Sequence, residues 1–149
     1  MRLQIVLVIV SAGIIGACRG NDAPTAPNAN PVNPNDTTSL GNAVTGTWQR
    51  TGYAVNGTVS VAVANGVAQV TFSSNFSIAQ TPGPFVYLNT TNNPNSGMPL
   101  RIGALKARSG AQTYTFQIPA GVRYSYVLIW CDPFNAAMAE AVIPNGVGQ

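Results

Sequence analysis

A chain of 149 residues, 46% of them hydrophobic, has the size and the core material of one domain and leaves no room for a second. Charged residues make up 7% against roughly 25% in ordinary globular chains, and a net charge of +3 carried by so few groups does not point to a nucleic-acid partner. Histidine is absent, which excludes His-based general-base catalysis, Ser–His and Cys–His nucleophile pairs, and His-ligated zinc or haem.

In chain order, Met1-Arg2 comes first, then an apolar run from Leu3 to Ile15, then Gly16-Ala17-Cys18, the layout of a secretory signal peptide over residues 1–17. As a helix, the stretch from Leu3 to Ala17 reaches about 22 Å, short of a roughly 30 Å hydrocarbon core, so a permanent span is not expected. Ile15-Gly16-Ala17-Cys18 resembles the lipobox of bacterial lipoproteins, in which an apolar residue and two small ones precede the lipidated cysteine. That resemblance implies cleavage before Cys18, a thioether-linked diacylglycerol on its sulfur and usually an N-acyl chain. Two or more acyl chains hold a protein stably on a membrane. The expected location is the bacterial cell envelope, with the membrane as a partner through the lipid anchor. Arg19 stands where an Asp would resemble an inner-membrane retention signal, so the outer membrane is favoured. Acylation of Cys18 leaves Cys131 as the one thiol of the mature chain, which excludes an internal disulfide and Cys-x-x-Cys exchange.

From Arg19 to Val44 the chain has four prolines, six asparagines and no aromatic residue. Residues 18–44 therefore read as the lipidated cysteine and an unfolded tether, whose removal should leave the domain's stability nearly unchanged. All aromatic residues lie at or after Trp48, which places the folded domain at 45–149. There, period-two alternation dominates. Thr58–Val63 puts three valines on one face, with Asn56-Gly57 before it and Asn65-Gly66 after it, and these dipeptides predict two tight hairpin turns in a three-stranded meander ending near Phe72. Further strands are predicted at Phe85–Leu88, Arg101–Lys106, Gln112–Ile118, Ser125–Cys131 and Ala136–Ile143, separated by Pro/Gly/Asn turns. Both faces of Ser125–Cys131 are apolar, so this strand should be central and covered on both sides. The expected fold class is all-β, a single antiparallel β-sandwich or barrel.

Gly83-Pro84-Phe85-Val86-Tyr87-Leu88, Ile102–Lys106, Gly110–Tyr114, Ile118-Pro119 and Val127-Leu128-Ile129-Trp130-Cys131 with Phe134 beyond are, in order and spacing, similar to the DM-thirteen electron-transfer domain. The resemblance covers about Gly46 to Ile143. It implies a β-rich domain and a redox role centred on the cysteine at Cys131, with Trp130 beside it and a redox partner protein. Two departures stand out: Met138-Ala139 replaces a usual Phe-Gly pair, and the histidine often seen in the early strands is missing. A haem bound through this domain would therefore find sulfur ligands in Cys131, Met98 or Met138.

No hydrolase or transferase motif is present, so the chain does not read as a classical enzyme. Asp132 and Glu140, the carboxylates of the domain, read as a solvated turn acid and a strand-face acid. Arg101, Lys106 and Arg108 read as a solvated basic strand face, and Asn89-Thr90-Thr91 as Asn/Thr-rich composition that happens to fit a glycosylation pattern. A buried cysteine packing as a small hydrophobe is the competing reading of Cys131. If that holds, the domain is a non-catalytic surface module binding a glycan or protein partner.

Overall fold

The computed structural model describes residues 24–30, 40–80 and 82–149. The stretch expected as signal peptide and lipobox, with Cys18, lies outside them. Runs of Val, Thr, Ile and aromatic residues broken by Gly, Pro and Asn fold into β1 (Val44–Arg50), β2 (Val55–Asn56), β3 (Thr58–Ala64), β4 (Val67–Phe72), β5 (Ser77–Ile78), β6 (Pro84–Asn89), β7 (Leu100–Ala104), β8 (Gln112–Gln117), β9 (Arg123–Cys131) and β10 (Ala136–Gly148). A short 3-10 turn, Asp132–Phe134, joins β9 to β10. Eight strands make one antiparallel sheet in the order β7-β6-β9-β10-β1-β3-β4-β8, and β2 pairs with β5 apart from it. The sheet curls nearly closed into a barrel-like sandwich, the all-β class expected.

The sheet turns its corner at β1. Val44–Thr47 pair with β3, whereas Trp48–Arg50 leave β3 and pair with Ala139–Ala141 of β10. Gly46 sits at this switch, where a β-carbon would be driven into the main-chain oxygen of Val142 and within 3.3 Å of Ile143 Cδ1. The absent side chain is what lets β10 cross so close.

Asn65 and Gly66 take φ angles of 50° and 82°, the positive values of the tight turn predicted between β3 and β4. Asn56-Gly57 does not make the other expected hairpin. Since β1 departs toward β10 after Thr47, the chain returns to β3 by a wide loop that carries β2. The Trp48 N–H donates to the Gly57 carbonyl at 3.1 Å across this loop. The last strand also outruns its expected end at Ile143: Pro144-Asn145-Gly146 is absorbed as a bulge, with the β9 register jumping between Val142 and Val147.

The interior is an aromatic-centred core. Trp48 and Phe72 meet edge to face with centroids 5.0 Å apart, and Phe72 and Phe76 at 4.7 Å. β9, between β6 and β10, sends Val127, Ile129 and Cys131 into this core and Leu128 and Trp130 to its other side, where they form a second buried cluster with Tyr87. Its central, doubly covered position matches the expectation.

The two sheet edges, β7 and β8, face one another across a seam, and part of the stretch expected as tether lies along it. The Arg101 N–H donates to the Pro27 carbonyl and the Ala29 N–H to the Arg101 carbonyl, each at 2.8 Å. The Gln117 N–H of β8 donates to the Asn30 carbonyl, also at 2.8 Å. Ala29 is buried against the core and Ala26 packs on the Tyr87–Trp130 cluster. Residues 24–30 thus form an arm that covers both exposed edges. These contacts depart from the expectation of an undocked tether over this stretch. Its hold comes mainly from main-chain hydrogen bonds and small side chains, which composition does not register. Deleting residues 24–30 is expected to lower unfolding stability by about 1–3 kcal/mol in urea titrations. An unchanged midpoint would show the arm to be passive.

Candidate functional site

The site is built where β9 ends. Cys131 pairs with Pro84 of β6 on one side and Ala136 of β10 on the other. Pro133 stops the ladder, and Asn135, at a left-handed φ of 46°, turns the chain back. Cys131 is 1% exposed, and its Sγ donates to the Pro82 carbonyl at 2.9 Å. The Asp132 N–H donates to the Gly83 carbonyl at 3.2 Å. The Pro82-Gly83-Pro84 segment therefore lies as a strap over the thiol.

Trp130, on the opposite face of β9, is also buried. Its indole Nε1 donates to Asn135 Oδ1 at 3.0 Å, and Asn95 Nδ2 donates to the same oxygen at 2.8 Å. The loop that delivers Asn95 is tied by Asn89. This fully buried amide accepts the Thr90 N–H at 2.8 Å and donates to the carbonyls of Asn93 and Ser96 at 2.7 and 3.0 Å. Asn89 is thus a structural tie, and its burial leaves it unable to act as a glycan acceptor.

Asp132 is not a solvated turn acid. It is 6% exposed, and its carboxylate holds three donors: Tyr87 OH on Oδ1 at 2.7 Å, and Arg101 Nε and Nη2 on Oδ2 at 3.0 and 2.9 Å. Nor does Arg101 belong to a solvated basic face. Its guanidinium lies 3.3 Å from the centroid of the Phe85 ring, and Nη1 donates to Asn28 Oδ1 of the arm at 3.2 Å. The register explains both corrections. β6 lies between β7 and β9, which puts Tyr87 directly opposite Arg101 on one side and Leu128 on the other. Lys106 hydrogen-bonds the Thr113 carbonyl and stands 4.7 Å from the Tyr114 ring centroid.

Sulfur ligation of haem finds no fitting set of residues. Cys131 and Met138 are packed in the core, whereas Met98 is 56% exposed on the loop before β7. Of the grooves along the seam, one of about 260 Å³ is lined by Ile102, Gly103, Ala104, Lys106 and Tyr114–Phe116, and one of about 210 Å³ that Met98 lines includes neither Cys131 nor Met138.

Burial, and then the hydrogen bond to Asp132, push the Tyr87 phenol well above the ordinary tyrosine value of 10.0. Burial also raises Tyr114 and Tyr124. The folded protein therefore keeps these protons after the unfolded chain has begun to lose them. Stability should be intact below pH 10 and fall as pH climbs above it, by about 1.4 kcal/mol per pH unit for each such tyrosine. Urea midpoints measured from neutral pH into the alkaline range check this, and a midpoint unchanged at alkaline pH would contradict it.

Comparison with protein families places this geometry. The family described as Electron transfer DM13 matches residues 48–143, from Trp48 in β1 to Ile143 in β10, so both flanks of the Cys131 turn fall inside it. Comparisons with curated proteins and with solved structures give no match. The match spans more than half of the chain and includes Asp132 and both side chains that meet its carboxylate, Tyr87 and Arg101. The chain belongs to the DM13 electron-transfer family.

Proposed function

We propose that this domain exchanges electrons through the thiol of Cys131, with Trp130 shielding the sulfur's strand, on a protein held in the bacterial envelope by a lipidated Cys18. The observation that carries the reading is the position of Cys131: within a DM13 domain, it closes the central strand beneath Pro82-Gly83, whose carbonyls accept from the Cys131 thiol and the Asp132 N–H. When the strap lifts, the thiol loses its proton and attacks one sulfur of a partner disulfide. A mixed disulfide forms and the other sulfur leaves as thiolate; a second thiol then resolves the adduct and restores Cys131. Arg101 offsets the charge of Asp132, so the adjoining carboxylate is not an uncompensated anion next to the nucleophile.

Labelling kinetics test this. Access by strap lifting is a local opening, so a maleimide should react with native protein at a rate that barely changes with low denaturant. The Cys131→Ala variant should take no label. If reaction follows global unfolding, the redox reading fails. The burial of Cys131 specifically favours the second reading, a non-catalytic module that binds a glycan or protein partner, and that reading then takes its place. Anchoring is tested separately: Cys18→Ser should lose incorporation of labelled fatty acid and leave the precursor uncleaved or the protein unanchored, and continued labelling would contradict it.

A further inference from the structure

We propose that Tyr87 is a second redox centre of the domain, a one-electron relay whose proton is received by Asp132. The inference deepens the electron-transfer reading and does not depend on thiol chemistry at Cys131. Four observations carry it. Tyr87 is 0% exposed, so bulk water cannot take its proton. Its OH donates to Asp132 Oδ1 at 2.7 Å, a short charge-assisted bond already aligned for transfer. Both contacts from Arg101 fall on Oδ2, which fixes the carboxylate and leaves Oδ1 to the phenol. And Trp130 shares the buried cluster of Tyr87 beside Leu128. Phe85 lies opposite Trp130 and Tyr87 opposite Leu128, so Trp130 and Tyr87 are diagonal neighbours on one face, at a spacing of about 7–8 Å.

Tyr87 gives one electron to a high-potential, metal-centred oxidant on a partner. Its O–H bond breaks, an O–H bond forms at Asp132 Oδ1, and a neutral phenoxyl radical stands beside a neutral carboxylic acid. A one-electron donor of the quinol class returns the electron, and Asp132 returns the proton. One electron crosses the domain and no proton leaves the site. The elevated pKa of the phenol is consistent with this, since phenolate is disfavoured and electron loss must be coupled to proton movement. The two aromatic side chains differ in the base each can use. Trp130 Nε1 faces the amide oxygen of Asn135, a very weak base, whereas Tyr87 faces a carboxylate. Oxidation that enters at Trp130 therefore ends on Tyr87.

The test is flash oxidation of the full chain by a soluble ruthenium(III) polypyridyl complex, with electron paramagnetic resonance and transient absorption as readouts. Wild type should give a tyrosyl radical whose formation rate is constant across neutral pH and slower in deuterated water. Tyr87→Phe keeps the packed ring and should lose that component. Asp132→Asn should slow its formation by about a hundredfold, the loss of a positioned base. Cys131→Ser should leave it intact, so failure of thiol chemistry and failure of the tyrosine relay are read independently. A wild-type signal in Tyr87→Phe overturns the proposal, as does an unchanged rate in Asp132→Asn. If Asp132→Asn does not fold, the pH and deuterium responses of wild type decide: a rate that rises with pH means the proton goes to water and the relay is refuted.

Discussion

Asp132→Ala is expected to cost about 2–4 kcal/mol of unfolding stability, the largest loss of any side chain near the site. Its removal strands two donors at once. Tyr87 OH, fully buried, is left with no acceptor, and Arg101 loses the carboxylate that balances its charge. The Arg101 side chain is 24% exposed and can turn toward solvent, which keeps the cost below that of a fully buried pair. Asp132→Asn should cost clearly less, because an amide oxygen still accepts from one of the two donors. Guanidinium unfolding of both variants measures the difference. Equal midpoints for Ala and wild type would mean that the network is not holding the end of β9 against β6 and β7.

Gly46→Val is expected to abolish the native fold or to cost more than about 3 kcal/mol, beyond the usual range for overpacking. The reason lies in main chain rather than in a movable side chain. The new β-carbon meets the Val142 carbonyl, which belongs to the ladder of β10, at the point where β1 passes from β3 to β10. Relief requires parting the strands that turn the sheet into a barrel-like sandwich. Loss of near-ultraviolet dichroism from Trp48, two residues on, would report the failure. A variant with wild-type dichroism and melting temperature would show that the corner is not tightly packed.

The two kinds of pattern in this sequence had different reach. The β3–β4 hairpin was legible because Asn65-Gly66 has the one conformation its chemistry favours, between strands of alternating valines. The central position of β9 was legible because both of its faces are apolar. What side-chain pattern does not encode is which strands become neighbours. Asp132 meets Tyr87 and Arg101 across 45 and 31 residues of chain, through the order β7-β6-β9, so Asp132 and Arg101 read as surface residues in isolation. The arm at residues 24–30 was invisible for another reason: it docks mainly through carbonyls and N–H groups, which every sequence possesses. Asn89 looked like composition because its four hydrogen-bonding partners are local to a loop whose shape only the fold determines. Cys131, by contrast, was located correctly at the end of a buried strand. Its cover was not foreseen, because Pro82-Gly83-Pro84 reads as an ordinary turn.

The most direct test of electron exchange at Cys131 is a redox titration of the native protein in glutathione buffers of graded poise. Intact mass gives the adduct, and far-ultraviolet dichroism monitors the fold. The expected result is a mixed disulfide on Cys131 that forms and is removed reversibly as the poise changes, absent in Cys131→Ser, while the β-sheet signal stays constant. A native protein that takes no adduct at any poise, or takes one only as the sheet signal is lost, would contradict a redox role for this thiol.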